Sequence, residues 1–331
     1  MLREEVSRDN MKGLKRKTAP SATAISGRKG LSRKTKRKLF IIGMLAFPLL
    51  QWLVFFVYVN IDSVLMSFQT INYNSGKMEW TFSNYERFFH EWNALPYLKS
   101  AVTNSLLAGA NNIVLLLISV ILSYFFYRKI PGRKFFRVVY FLPSVISIVV
   151  YTMAYKLMFD TSVGPINILL QKLGVSTVDL PTWFGDTDLA FPLVLLYCLW
   201  VGTGYNILIV GSAMENLPQD VMEYSHMEGV GWIRELFQIV IPMIWPTISV
   251  ALLGSVTIVF TLFIQVEMLT GGGPGHSSET IAYLINGLIK GHNADLEWGA
   301  AMGVCFTVAA APLVVISKKL LDRIGKHFGY E

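Results

Sequence analysis

The chain has 331 residues, 53% of them hydrophobic and 15% charged, with a mean hydropathy of +0.47. A soluble domain carries about 25% charged residues, so the composition argues against an ordinary soluble fold. The net charge of +7 does not point to nucleic acid either, because it is concentrated in short segments that flank apolar runs.

Six charge-free runs divide the sequence: 39–61, 100–127, 138–155, 189–214, 236–266 and 298–317. Each approaches or exceeds the roughly 20 residues that cross a bilayer. Backbone groups cannot stay unpaired in lipid, so the runs are expected to be helices. A buried soluble core would require polar faces that these runs lack. The fold class predicted is an all-α membrane protein with six transmembrane helices. Of the 29 Lys and Arg, 23 fall on one side of this six-span arrangement and 6 on the other. That asymmetry places both termini in the cytoplasm. The N-terminus lacks the short charged region and small-residue cleavage site of a signal peptide.

Residues 1–38 hold thirteen of the Lys and Arg among Ser, Gly and Thr. They read as a disordered cytoplasmic tail with anionic membrane lipid as its partner. The first span is predicted over about 39–60 and an outer segment over 62–99, whose aromatics Trp80, Phe82, Tyr85, Phe88, Phe89 and Trp92 read as an interface belt. The second span (about 101–126) carries Asn104, Asn111 and Asn112, polar residues expected to face other helices. A basic inner turn, Arg128 to Arg137, leads into the third span (about 138–158) with Pro143, Tyr151 and Tyr155. The outer loop 159–188 contains GPINILLQKLG, a short amphipathic helix between glycines. The fourth span (about 189–212) contains Gly202, Tyr205 and Asn206.

Residues 215–246 form a polar island, ENLPQDVMEYSHMEGVGWIRELFQIVIPMIWP. Asn216 is expected to cap a helix over Gln219 to Met227, and Gly229 to close it in a left-handed conformation. A second helix is expected from about Trp232, kinked at Pro242 and Pro246. The fifth span (about 239–266) ends in FTLFIQVEMLTGGGPG, whose glycines lack the Gly-Lys-Ser/Thr ending of a phosphate loop and read as an outer turn. The sixth span covers about 298–317, with Lys318, Lys319 and Arg323 behind it. Cys198 and Cys305 lie inside predicted spans and make neither a disulfide framework nor a metal motif. The chain shows no Walker A sequence, no H-E-x-x-H and no nucleophile elbow, so no covalent chemistry and no cofactor are expected in it.

The polar island resembles the EAA signature of ABC importer permeases: Glu-Ala-Ala, two residues, Asp-Gly-Ala, nine residues, Ile-x-Leu-Pro. Glu223, Gly229, Ile239 and Pro242 fall in register with it. Tyr224, Ser225, Glu228 and Val230 depart from its alanines and aspartate. The pieces Phe82-Ser83-Asn84-Tyr85-x-x-Phe88, the outer helix and the Gly-Gly-Pro turn are similar to the sugar-type, MetI-like branch. The resemblance covers roughly 80–318 and implies a type I ABC importer permease fold, with a core over 100–318, a coupling loop over 215–246 and a tail over 319–331. It also implies a second permease subunit, two ATP-binding subunits that hold ATP and Mg, an extracytoplasmic sugar-binding protein, and no catalysis in this chain. Coupling to the ATPases would fall to Glu223, Met227, Glu228, Gly229 and Pro242. The sugar path would use Gly202, Tyr205, Phe260 and Thr261, with Tyr151, Asn206 and Gln265 as further aromatic and amide candidates. Each of these also reads as ordinary helix packing. The alternatives are a permease for another solute, such as glycerol phosphate or peptide, and a stand-alone secondary carrier. The absence of charge in the six runs disfavours the carrier.

Overall fold

The computed structural model describes residues 32–72, 76–290 and 294–329. Residues 1–31, most of the expected basic tail, lie outside them. Two compact units are present, Met1–Val59 and Asn60–Glu331. The described residues of the first unit are the larger part of helix α1 (Arg33–Ser67), which includes a π-helical stretch at Leu53–Tyr58. This corrects the expected tail, because residues 33–38 are already helical; Lys and Arg are good helix formers and nothing there breaks the ladder.

In the second unit a two-stranded antiparallel ribbon, β1 (Gln69–Asn72) and β2 (Lys77–Trp80), leads into α2 (Ser83–Ala94). The buried Asn84 amide donates to the carbonyls of Ser67 and Gln69, which ties α2 to the ribbon. The interface-belt reading needs correction for Phe88. Its ring is buried against Trp298 and Phe306, while Trp80, Phe82 and Phe89 are exposed.

Helices α3 (Pro96–Tyr127) and α7 (Ala190–Glu215) form the centre of the unit. Between them lie α4 (Arg133–Val145), α5 (Ile148–Met158) and the short α6 (Pro165–Lys172). The third span is therefore a bent pair, not one rod: α4 and α5 meet at 105°. Pro143 in the last turn of α4 removes a helix hydrogen bond, and Ile146 is extended. Beyond α5, the Asp160 carboxylate accepts from the Ser162 hydroxyl (2.6 Å) and the Val163 amide (3.0 Å). These bonds, the Ser162 hydroxyl first, hold its carboxyl below the usual carboxylate range and fix the turn that starts α6.

The elbow helix α8 (Gln219–Met227) follows, then α9 (Trp232–Met243) and α10 (Trp245–Ile258), bent by 82°. Pro242 and Pro246 flank that bend, as expected. The fifth span does not run to 266. It stops at Ile258 after a β-branched run, and α11 (Ile264–Leu269) is a separate helix. The Thr280 hydroxyl donates to the Leu262 carbonyl in the gap. Helix α12 (Ile281–Ile289) and the long α13 (Leu296–His327) complete the unit. The expected tail from 319 is helical to His327. Trp245 donates its indole N–H to the Leu321 carbonyl (3.1 Å), and Gly325 lies beneath the same ring.

Among the described residues, four helices are long and apolar enough to cross a membrane, or up to six if each bent pair is one span. The ends of α3 fix two poles. Near its start, the Asn104 amide donates to the carbonyls of Ser277 and Glu279, beside the Gly-rich turn. At its finish, Arg128 meets Glu235 of α9. The elbow, the basic turn and the end of α13 therefore share one pole, and the Gly-rich turn lies at the other.

Candidate functional site

The elbow is built around buried residues on its inner face. Met222 and Leu217 join a core with Leu116, Tyr124, Met214 and Leu236. The Ser225 hydroxyl turns back on the Met222 carbonyl (2.8 Å). With that face anchored, α8 exposes Glu223, Tyr224 and Met227, the last 82% exposed. Met222 looks on sequence alone like a partner of exposed Val221 and Met227. It is core, because the i, i+3 rhythm of Met222 and Ser225 points inward. Asn216 does not cap α8. Its amide donates to Ser212 at the end of α7, and Pro218 occupies the cap position. Gly229 has φ +67°, the left-handed closure expected of it, and Glu228 is the last residue before it. Arg137 of α4 and Glu215 of α7 pair at 2.8 Å and hold the entrance to the elbow against the basic turn. Pro242 sits one residue before the end of α9, in the bend rather than on the exposed face.

The expected sugar-path residues are not in one place. Gly202 lines a cavity of about 290 Å³ between α3, α7 and the α4–α5 bend, with Asn111, Asn112, Ser144, Tyr197 and Gln265 on its walls. The Tyr197 hydroxyl is buried there without a hydrogen-bond partner among the described residues. Ligand pockets span roughly 300–1,000 Å³, so this cavity is small for a chain of sugars. Tyr205, 60% exposed, and Asn206 face a separate open groove of about 560 Å³ with Val250 and Gly254. Asn112 borders both spaces and donates to the Ser255 hydroxyl (2.9 Å). Phe260 faces a third, apolar space with Ile285 and Phe306. Thr261 is exposed and donates to the Thr257 carbonyl (3.1 Å). Tyr151 is stacked edge-on against Trp200 (5.3 Å). The sequence named Gly202, Gln265, Tyr205 and Asn206 but not Asn112 as the wall between the two spaces. An amide in a charge-free run was the signal for it. Among the described residues, no group of three His, Cys, Asp or Glu gathers as a metal would require.

Residues 115–328 match the family described as the binding-protein-dependent transport system inner membrane component. The probable ABC transporter permease protein YurN of Bacillus subtilis is 31% identical over 251 residues, 74% of this chain and 82% of that protein. The maltose/maltodextrin permease MalF of Vibrio parahaemolyticus is 28% identical over 193 residues, which is 57% of this chain but 36% of the MalF chain. The fold matches a bacterial alginate ABC transporter, solved with an alginate pentasaccharide-bound periplasmic protein, at TM-score 0.75 and 20% identity over 89% of this chain and 98% of that one. With the elbow, the two poles and a match over most of the sequence in agreement, the chain belongs to the family of binding-protein-dependent transport system inner membrane components, the ABC importer permeases.

Proposed function

We propose that this chain is one of two permease subunits of an ATP-driven importer of oligosaccharides, with its core over 100–318 and its coupling loop over 215–246. Two ATPase subunits, holding ATP and Mg, bind beneath the elbows. An extracytoplasmic binding protein delivers the sugar at the opposite pole. The observation that supports this reading best is the exposed face of α8, acidic and apolar, hung on buried Met222 and closed by left-handed Gly229. Such a face fits a soluble partner's groove better than it fits lipid or free solvent. The MalF and alginate relatives support the sugar assignment. The experiment is purification of the tagged chain from its native membrane. Co-purifying ATPases whose hydrolysis rises with an oligosaccharide-loaded binding protein support it. Stimulation only by a glycerol phosphate- or peptide-loaded protein would reassign the solute.

The elbow pole faces the cytoplasm in this reading. In a chain with Cys198 and Cys305 replaced by alanine, Lys77→Cys and Lys290→Cys should react with an impermeant maleimide from outside. Arg133→Cys and Arg323→Cys should react only after permeabilisation, and outside labelling at position 323 would sink the orientation.

The small Gly202 cavity cannot hold an oligosaccharide alone, so the path is assigned to that cavity together with the Tyr205 groove. An exposed ring at Tyr205 suits stacking on a sugar. Aromatic contacts of this kind are worth about 0.5–1.5 kcal/mol, so Tyr205→Ala should lower apparent affinity roughly threefold to tenfold with assembly intact. Tyr205→Phe should keep most of it. Wild-type transport in Tyr205→Ala would reduce this residue to a packing role.

A further inference from the structure

We propose that Glu235 is a positioning residue that fastens the elbow helix to the inner end of α3. The proposal rests on the importer reading for its purpose, but not for its test. The Glu235 side chain is 0% exposed, and no hydrogen bond of good geometry reaches either carboxylate oxygen among the described residues, the Tyr124 hydroxyl lying nearby. Two basic side chains approach it instead. His226 of α8 reaches it at 3.4 Å and Arg128, just past the end of α3, at 3.9 Å. The space around them, about 380 Å³, is also bordered by Glu223 from α8 and by Tyr127 and Lys129 from the α3 end. The Tyr124 hydroxyl accepts from Arg128 at 3.3 Å and feels the Glu235 charge. On its own helix the neighbouring Arg234 is engaged elsewhere, on Gln238 (2.8 Å).

A carboxylate removed from water without hydrogen bonds is tolerated only where opposite charge offsets the lost hydration. His226 and Arg128 are 51% and 34% exposed, so each could turn to solvent at little cost. Glu235 has no such option, so it is the fixed point on which both side chains converge. One buried anion therefore draws together three elements: α8 through His226, α3 through Arg128 and α9 through its own backbone. Helix α3 carries Asn111 and Asn112, which line the cavity. Force applied to α8 by a docked partner reaches α3 through this contact and not only through the flexible turn at Gly229 and Gly231.

The test is backbone amide exchange across residues 219–227 in the full-length chain, in lipid nanodiscs with the subunits it retains. Glu235→Gln and His226→Ala should each speed α8 exchange about tenfold, because each unfastens α8 from the buried carboxylate. The double variant should be no faster than the faster single one, because both remove the same link. Glu235→Asp, which keeps the charge, should fall between wild type and Glu235→Gln. Exchange in α7 and α13 should not change, which separates a local fastening from general loss of stability. Wild-type exchange of α8 in Glu235→Gln, or effects that multiply in the double variant, would overturn the proposal. If Glu235→Gln cannot be purified, His226→Ala decides alone, and unchanged α8 exchange there refutes it. The exchange readout needs no ATPase. The importer reading fails separately, if no ATP hydrolysis accompanies the wild-type chain.

Discussion

The double substitution Glu223→Ala, Gly229→Val is expected to leave the chain inserted in the membrane but stripped of its ATPase subunits. Glu223 is exposed on the elbow helix, so its removal disturbs no internal contact. A charge-assisted hydrogen bond to a partner's arginine is worth about 1.5–3 kcal/mol, and its loss weakens docking roughly tenfold to a hundredfold. Gly229 acts differently. A Cβ added there meets nothing within 4 Å, so crowding is not the issue. The backbone is at φ +67°, where a side chain costs about 1–2 kcal/mol, and a β-branched one is a genuine outlier. Gly231 provides the contrast. It also has open space around it, but its φ is −66°, so Gly231→Val should be nearly silent. The measurement is ATPase recovery on purification and loaded-binding-protein-stimulated hydrolysis in proteoliposomes. Full recovery and stimulation in the double variant would make the elbow a mere connecting loop.

The elbow was legible because its signals are local. A glycine that must be left-handed and a helix bounded by polar and proline residues are set within a few positions, and the structure has both, though Asn216 does not cap the helix. Where it misled, the cause was tertiary. Met222 looks like free apolar surface until Leu116 and Leu236 are seen to cover it. The spans were legible as apolar runs, but not the breaks in the third and fifth, where Pro143 and the Val256–Val259 stretch act on helices that composition alone treats as straight. The cavity was least legible. Gly202 and Tyr205 are three positions apart on α7, yet Gly202 points to Leu115 and Tyr205 to an open groove. Which helix covers which face depends on crossing geometry that no periodicity in α7 records, since apolar residues surround it on all sides. The Glu235–His226 and Glu235–Arg128 contacts were hidden for the same reason, the latter joining residues about a hundred positions apart in sequence.

The largest effect on the fold is expected from Gly204→Ala. Gly204 lies where α7 crosses α4, and a Cβ built on it falls inside the van der Waals envelope of the Tyr140 carbonyl oxygen and within 3.0 Å of the Phe141 Cα. These are backbone atoms, so no rotamer change can relieve the clash and one helix must move. Small residues at membrane-helix crossings serve this purpose, because they allow backbones to approach where no hydrophobic force drives association. Overpacking typically costs 1–3 kcal/mol, and a backbone clash belongs at or above about 3 kcal/mol, a large part of a marginal stability. Gly202→Ala is the matched comparison on the same helix. Its Cβ would meet the Leu115 side chain at 2.5 Å, a flexible tip that can rotate, at the expense of cavity volume. The expected pattern is therefore a split. Gly204→Ala should lower the melting temperature of the purified complex and its yield, because the α4–α5 bend that walls the cavity loses its support. Gly202→Ala should melt near wild type but transport bulky sugars poorly. A wild-type melting temperature for Gly204→Ala would mean that α4 and α7 do not make this close crossing, and the cavity they enclose would lose its shape as an argument for the path.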